Sequence, residues 1–294
     1  MGAFRQRVRR GGHLPVKCTN LFLGAEMSNV ITEIDDPVAI VRLNRPEKLN
    51  AFTFAMIEEI RSAVNRAAAD DRVVGIVITG NGRAFSAGLD AGDLRRSTQE
   101  GSPPAPTPSA PDELPALFSY ILRISKPVIA AVNGVTAGGG FVLAMMCDLR
   151  FASENASFTT VFSRRGLIAE HGTSWLLPRM VGVSRALDLL WSSRRIDAAE
   201  ALRIGLLDRV VAPVKLIDEA RGYVRDLAAN ISPRSIAVMK AQVYRHLSEA
   251  MAPAIHDADR LTQESLEHPD ATEGVESLLE KRAPRFQRWH GAKP

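Results

Sequence analysis

Two glycine-bearing turns hold the residues best suited to bring backbone donors close to a ligand. The first is Gly82-Arg83-Ala84-Phe85-Ser86-Ala87-Gly88-Leu89-Asp90. The second, Asn133-Gly134-Val135-Thr136-Ala137-Gly138-Gly139-Gly140, opens into the apolar run Phe141-Val142-Leu143-Ala144-Met145-Met146. Glycine lets backbone N–H groups approach a ligand, and a helix start adds unpaired donors with partial positive charge. The glycine triplet lacks the spacing of a dinucleotide fingerprint, and no phosphate loop of the Lys-Ser or Lys-Thr type occurs.

Other chemistries find less support. His13, His246, His256, His268 and His290 form no metal-ligand spacing, and no His-Glu-x-x-His occurs. Cys18 and Cys147 make neither a disulfide framework nor a metal pair. Ser86 and Ser174 have no Ser-His-Asp arrangement readable from sequence. His171 follows Glu170 and could tune it, but adjacent side chains usually point apart. No metal site is expected.

The elements that must position these turns alternate. Val38 to Leu43 reads as a strand that stops at Asn44-Arg45-Pro46. Met56, Ile57, Ile60, Val64 and Ala67 fall at helical spacing, and Val73 to Thr79 is a short buried strand. Pro127 to Val132 is a strand, Phe141 to Cys147 a helix and Leu149 to Ala152 a strand. The class is α/β. Residues 97–116 hold six of the seventeen prolines and read as a mobile loop. After Arg221 the chain reads as helices, over Tyr223–Ala229, Ile236–Leu247 and Gly274–Leu279, separated by polar segments.

Composition narrows the function. The 294 residues are 46% hydrophobic and 24% charged, with a net charge of +4. Residues 1–28 carry Arg5, Arg7, Arg9, Arg10 and Lys17 against Glu26, which is the whole excess. The rest is neutral, unlike the basic face of a nucleic-acid binder. Residues 1–28 read as a disordered basic extension, with Met27 an alternative start. No stretch approaches the length of a membrane span. A cytoplasmic protein is expected.

Taken together, the turns resemble something more specific. Asn44-Arg45-Pro46-Glu47-Lys48-Leu49-Asn50-Ala51, Phe85-Ser86-Ala87-Gly88-Leu89-Asp90, Lys126-Pro127-Val128-Ile129-Ala130-Ala131-Val132-Asn133-Gly134 and Gly138-Gly139-Gly140 resemble the crotonase superfamily, the enoyl-CoA hydratase/isomerase family. Arg195 to Ala201, Gly205 to Val211 and Glu280-Lys281-Arg282 continue the resemblance, which covers roughly residues 29–288. It implies a right-handed spiral of ββα units over residues 29–220. A helical region at 221–294 would assemble a homotrimer or a dimer of trimers.

The resemblance also implies a site. Its substrate is an acyl-CoA thioester, with CoA part of the substrate and no separate cofactor. The Leu89 and Gly139 N–H groups hold the thioester oxygen as an enolate forms, each contributing about 3–4 kcal/mol. Lys48, Leu49, Ala51, Ala84, Ser86, Ala87 and Asp90 match positions that cradle CoA, and Lys281 one that reaches a neighbouring subunit's CoA. The two glutamates of the hydratases are replaced by Val142 and Phe162, neither of which moves a proton. Glu170, in Gly166-Leu167-Ile168-Ala169-Glu170-His171-Gly172, sits where isomerases of the family carry an aspartate. Flanking Ile168 and Ala169 would raise its pKa by desolvation. Double-bond isomerisation of an enoyl-CoA is the expectation, with hydration or a catalytically silent CoA-binding subunit as the alternatives.

Overall fold

A computed structural model describes residues 28–101 and 114–289 of the protein. The basic extension, save residue 28, and residues 102–113 of the proline-rich insert lie outside the described residues.

Strands β1 (Val30–Asp35) and β2 (Val38–Leu43) pair antiparallel. Helix α1 (Phe54–Ala69) begins where the Thr53 side chain accepts the Met56 N–H. Such a cap satisfies one of the four orphan donors of a helix start. Its Met56, Ile60, Val64 and Ala67 are buried. Then a repeating unit begins. β3 (Gly75–Gly80), β4 (Ala84–Ser86) and α2 (Ala91–Glu100) form the first turn of a spiral. β5 (Val128–Val132), β6 (Val135–Ala137) and α3 (Gly139–Met146) form the second. β7 (Leu149–Ser153) and β8 (Ser157–Thr159) lead to α4 (Thr173–Val181) and α5 (Val183–Ser192) in the third. β9 (Ile196–Asp197), α6 (Ala198–Arg203) and β10 (Arg209–Val211) complete it.

Each turn of the spiral gives one strand to each of two sheets. The larger has the order β1-β2-β3-β5-β7-β10 and the smaller β4-β6-β8-β9. Two asparagines hold successive turns in register. The fully buried Asn50 accepts the Arg45 N–H at 2.9 Å and donates to the carbonyls of Asn81 and Ala84 at 2.9 and 2.8 Å. Asn133 accepts the Gly80 N–H at 3.1 Å and donates to the Gly82 and Ala84 carbonyls at 2.9 and 3.1 Å.

The large sheet is buried on both faces, so β2 reads as one apolar run. Ala39, Val41 and Leu43 enter the core shared with α1 and α3. Val38 and Ile40 point the other way, against Leu216, Ala220 and Val224 of helix α7 (Leu216–Asn230). The boundary expected after residue 220 therefore falls inside a helix that packs on the sheet. The expected mobile loop also needs correction at its start, because residues 97–100 are the last turn of α2.

Helices α8 (Pro233–His246), α9 (Met251–Leu266) and α10 (Pro269–Glu280) follow. α8 is fastened to the spiral by a buried ion pair. Lys240 Nζ donates to Asp148 Oδ2 at 2.6 Å and to the carbonyls of Ile121 and Lys126, both at 3.2 Å. The Tyr244 hydroxyl donates to Asp148 Oδ1 at 3.0 Å. Helix α9 was not expected from the sequence, and it buries only Leu261 within the chain. Among the described residues no helix is long and apolar enough to cross a membrane.

Candidate active site

The chain passes Phe52 and Leu89 side by side, and this contact aims the first donor. Phe52 N–H donates to the Gly88 carbonyl and Asp90 N–H to the Phe52 carbonyl, both at 2.7 Å. In a parallel bridge that pattern turns the N–H of the intervening Leu89 away from Phe52. Gly139 is the first residue of α3, and the N–H of such a residue has no partner inside its own helix. Two glycines let the turns meet. A Cβ on Gly88, whose φ is +90°, would stand 2.7 Å from the Ala137 carbonyl oxygen and 2.9 Å from the Gly139 nitrogen. One on Gly140 would stand 2.3 Å from the Ser86 carbonyl oxygen. Both distances are closer than any side chain permits.

Leu89 and Gly139 line one cavity of about 620 Å³. Its walls are largely apolar, with Phe52, Phe54, Ile57, Leu94, Leu117 and Phe162 among them. Phe162 thus occupies the wall where an acid was expected to be missing. Val142 is fully buried in α3 and is not part of the wall. Helix α1, assigned no site role from the sequence, also contributes, with Phe54, Ile57 and Glu58 of its first turns facing the cavity.

Glu170 lines the same cavity, half-buried, and burial raises its pKa above the ordinary carboxylate range. The source of that burial differs from the sequence expectation. Ile168 is 80% exposed and shields nothing; the pocket itself does the desolvating. His171 lines the cavity beside it, contrary to the expectation that neighbours point apart. The reason is its backbone. His171 has a φ of 51°, a left-handed conformation that reverses the alternation of an extended chain. Its Nδ1 accepts the Leu117 N–H at 3.4 Å, and burial lowers its pKa. Val161, also on the wall, has a φ of 54°, uncommon for a β-branched residue.

The residues matched to CoA lie on two laced segments beside the cavity rather than in its wall. Lys48 is exposed at the end of a short turn, and Leu49 follows with a φ of 52°. Ala87 N–H donates to the Leu49 carbonyl at 2.9 Å, and the buried Ser86 hydroxyl donates to the Asn50 carbonyl at 2.8 Å. Arg45 donates to the Ala51 carbonyl at 2.6 Å and pairs with Asp90 at 3.4 Å. Ala84 is buried in β4. Ser86 therefore spends its side chain inside the protein, and any ligand contact from Ala84 and Ser86 would be through the backbone. Lys281 caps the end of α10 and does not line the cavity. Among the described residues no cluster of His, Cys, Asp or Glu could hold a metal ion.

Comparison with known proteins agrees with this geometry. The family profile described as enoyl-CoA hydratase/isomerase matches residues 33–289. A protein of Rhodobacter capsulatus named "Probable enoyl-CoA hydratase" is 37% identical over 86% of this chain and 96% of its own length. A 1,2-epoxyphenylacetyl-CoA isomerase of Escherichia coli is 32% identical over 88% of this chain and 98% of its own. The crystal structure of an enoyl-CoA hydratase/isomerase from Mycobacterium paratuberculosis superposes with a TM-score of 0.79 at 29% identity, covering 89% of this chain and 99% of the other. With the profile match over residues 33–289 and these relatives on a spiral of ββα units, the chain belongs to the enoyl-CoA hydratase/isomerase family and has the crotonase fold.

Proposed function

We propose that the protein isomerises the double bond of an enoyl-CoA, with Glu170 as its acid and base. The thioester oxygen sits against the Leu89 and Gly139 N–H groups. Glu170 removes a proton from the carbon beside the carbonyl, and the electron pair shifts into the thioester as an enolate. The enolate oxygen gains charge while its donors are already in place, so they stabilise the transition state more than the substrate. Glu170 then returns the proton two carbons further along, and the double bond moves with it. One carboxylate suffices because the same proton is taken and given back.

The observation that carries this reading is the placement of Glu170 in the cavity of the two donors, with Val142 and Phe162 at the positions of the hydratase acids. Hydration is the second reading, favoured by the hydratase names of most relatives compared. It must proceed without acids at those two positions. Turnover of a panel of enoyl-CoA esters separates the readings: a shifted double bond supports isomerisation and a 3-hydroxyacyl-CoA supports hydration. Binding without turnover would leave a silent CoA-binding subunit. For the CoA moiety, Lys48, Leu49, Ala51 and Ala87 are proposed as the cradle, with Asp90 held by Arg45 at its edge. Lys281 would serve a neighbouring subunit. That last role requires an assembly, for which we propose a homotrimer or dimer of trimers. Its support is the row of Met239, Val243, Met251, Ile255, Leu278 and Leu279 on α8–α10, all more than half exposed.

A further inference from the structure

The sequence offers His171 only as a residue that could tune Glu170, and the structure places it on the wall of the same cavity. Three observations fix its state. Nδ1 is occupied as an acceptor by the Leu117 N–H at 3.4 Å. A neutral imidazole whose Nδ1 accepts carries its single proton on Nε2. Among the described residues Nε2 meets no hydrogen-bond partner, and it is not sealed from the cavity that the ring lines. Burial favours the neutral form, since its pKa is lowered. The strained φ of 51° is the backbone arrangement that turns this ring inward beside Glu170 instead of away from it.

We infer that His171 selects the substrate class, its Nε2–H recognising a neutral oxygen, a hydroxyl or a keto group, on the acyl chain beyond the reacting carbons. The cavity is lined mainly by apolar residues, Leu117, Phe162 and Leu167 among them, with Glu58, Ser97, Thr98 and Arg165 as its other polar members besides Glu170. In the empty cavity water satisfies the Nε2–H. A hydrocarbon chain expels that water and leaves a buried donor unpaired, whereas a chain with an oxygen at that height replaces it. Sites built around a buried hydrogen-bonding group reject analogues that lack the matching group far more strongly than apolar pockets reject an extra one. A carboxylate is disfavoured as the matching group because Glu170 stands next to the ring. This inference rests on the cavity being the acyl site of an acyl-CoA enzyme, and does not require the isomerase reading.

The test is calorimetric binding of saturated thioesters, so that no turnover is involved. Hexanoyl-CoA is compared with hexanoyl-CoA esters hydroxylated singly at the fourth, fifth or sixth carbon. The wild-type protein should bind at least one hydroxylated ester about 10-fold or more tightly than hexanoyl-CoA, at the low end of such discrimination. His171→Asn tolerates the left-handed backbone and can still accept the Leu117 N–H, but its amide is too short to reach the Nε2 position. It should bring the hydroxylated and plain esters to equal affinity, because hexanoyl-CoA no longer strands an unpaired donor and the hydroxylated esters no longer gain a partner. Equal affinities in the wild type would overturn the inference, and that half of the test needs no variant to fold. A preference that survives in His171→Asn would overturn it as well. Failure of every ester to bind the wild type would go further, and remove the acyl-CoA reading of the cavity itself.

Discussion

Gly88 abuts the amide of Gly139: a Cβ built on the first would lie 2.9 Å from the nitrogen of the second. The two N–H groups that face the cavity are thereby carried by backbone segments in contact, and not by loops free to drift apart. A neighbouring glycine behaves differently. A Cβ on Gly139 would meet the Phe52 ring at 3.4 Å, an ordinary contact, whereas one on Gly140 would meet the Ser86 carbonyl oxygen at 2.3 Å. Gly139→Ala should therefore fold with a melting temperature within a few degrees of wild type. Gly140→Ala should lose several times more, or fail to accumulate as folded protein. Thermal unfolding followed by circular dichroism checks both, and equal tolerance of the two would contradict the packing described.

Glu170→Gln keeps the shape and hydrogen bonding of the side chain but not its proton chemistry. Isomerisation should fall by about 10²–10⁴-fold, the usual worth of a positioned acid–base group. Affinity for a saturated acyl-CoA should hardly move, because the donors of Leu89 and Gly139 are backbone. Rates within a few-fold of wild type would take Glu170 out of the mechanism.

The pH profile follows from the direction of the Glu170 shift. Burial raises its pKa, so the base form is lost on the acid side at a pH above the ordinary glutamate value of about 4.3. The rate constant kcat/KM should fall as pH drops through that raised value. Glu58, Arg165 and His171 face the same cavity. His171 is pushed the other way, below its ordinary value, by burial. An acid limb centred near the ordinary histidine value of about 6.5, abolished in His171→Asn, would assign the titration to the imidazole instead.

The Lys240–Asp148 pair joins α8 to the spiral from a buried position, Lys240 being only 8% exposed. Lys240→Met preserves the stem and removes the charge, leaving Asp148 with the Tyr244 hydroxyl and the Val128 N–H. Breaking a buried pair on one side costs about 3–5 kcal/mol. Urea unfolding should show a loss of that order, and adding Asp148→Asn should recover part of it. A loss below about 1 kcal/mol would mean that water reaches the pair.

Sedimentation velocity at micromolar concentration tests the assembly. A trimer or hexamer is expected from the exposed apolar residues of α8–α10, which assembly would cover. A monomer would leave Lys281 with no neighbouring site to serve.

How far the sequence alone could lead is visible in particular residues. The inner strands of the larger sheet were legible because β2, β3 and β5 are mostly apolar, and the glycine turns because glycine marks close backbone approach; β4 and β6, three residues each, lie within segments that read only as turns. Asn50 and Asn133 were quoted as motif letters, but their work, bridging carbonyls on successive turns, appears only when residues some thirty to fifty positions apart are brought together. Helix α9 was missed although Met251, Ile255, Ala258 and Leu261 recur at helical spacing, because the acidic and basic residues between them made the segment read as a polar connection. The placement of His171 was missed for a local reason, since a single left-handed residue reverses which way a side chain points. Ile168 erred the other way: an apolar letter beside Glu170 proved to face outward.

Because every turn of the spiral adds one strand to each sheet, β4 and β6 are hydrogen-bonded neighbours, and the two glycine turns that follow them leave the sheet side by side. The interval between paired strands, about 4.8 Å, is a property of sheets rather than of these residues. On the proposed reading, the grip on the carbonyl is written in the chain's path, and the reaction in replaceable letters around it. Such a division lets descendants of one scaffold exchange Val142, Phe162, Glu170 or His171 for other groups, and so change trade, without first having to rebuild the clasp.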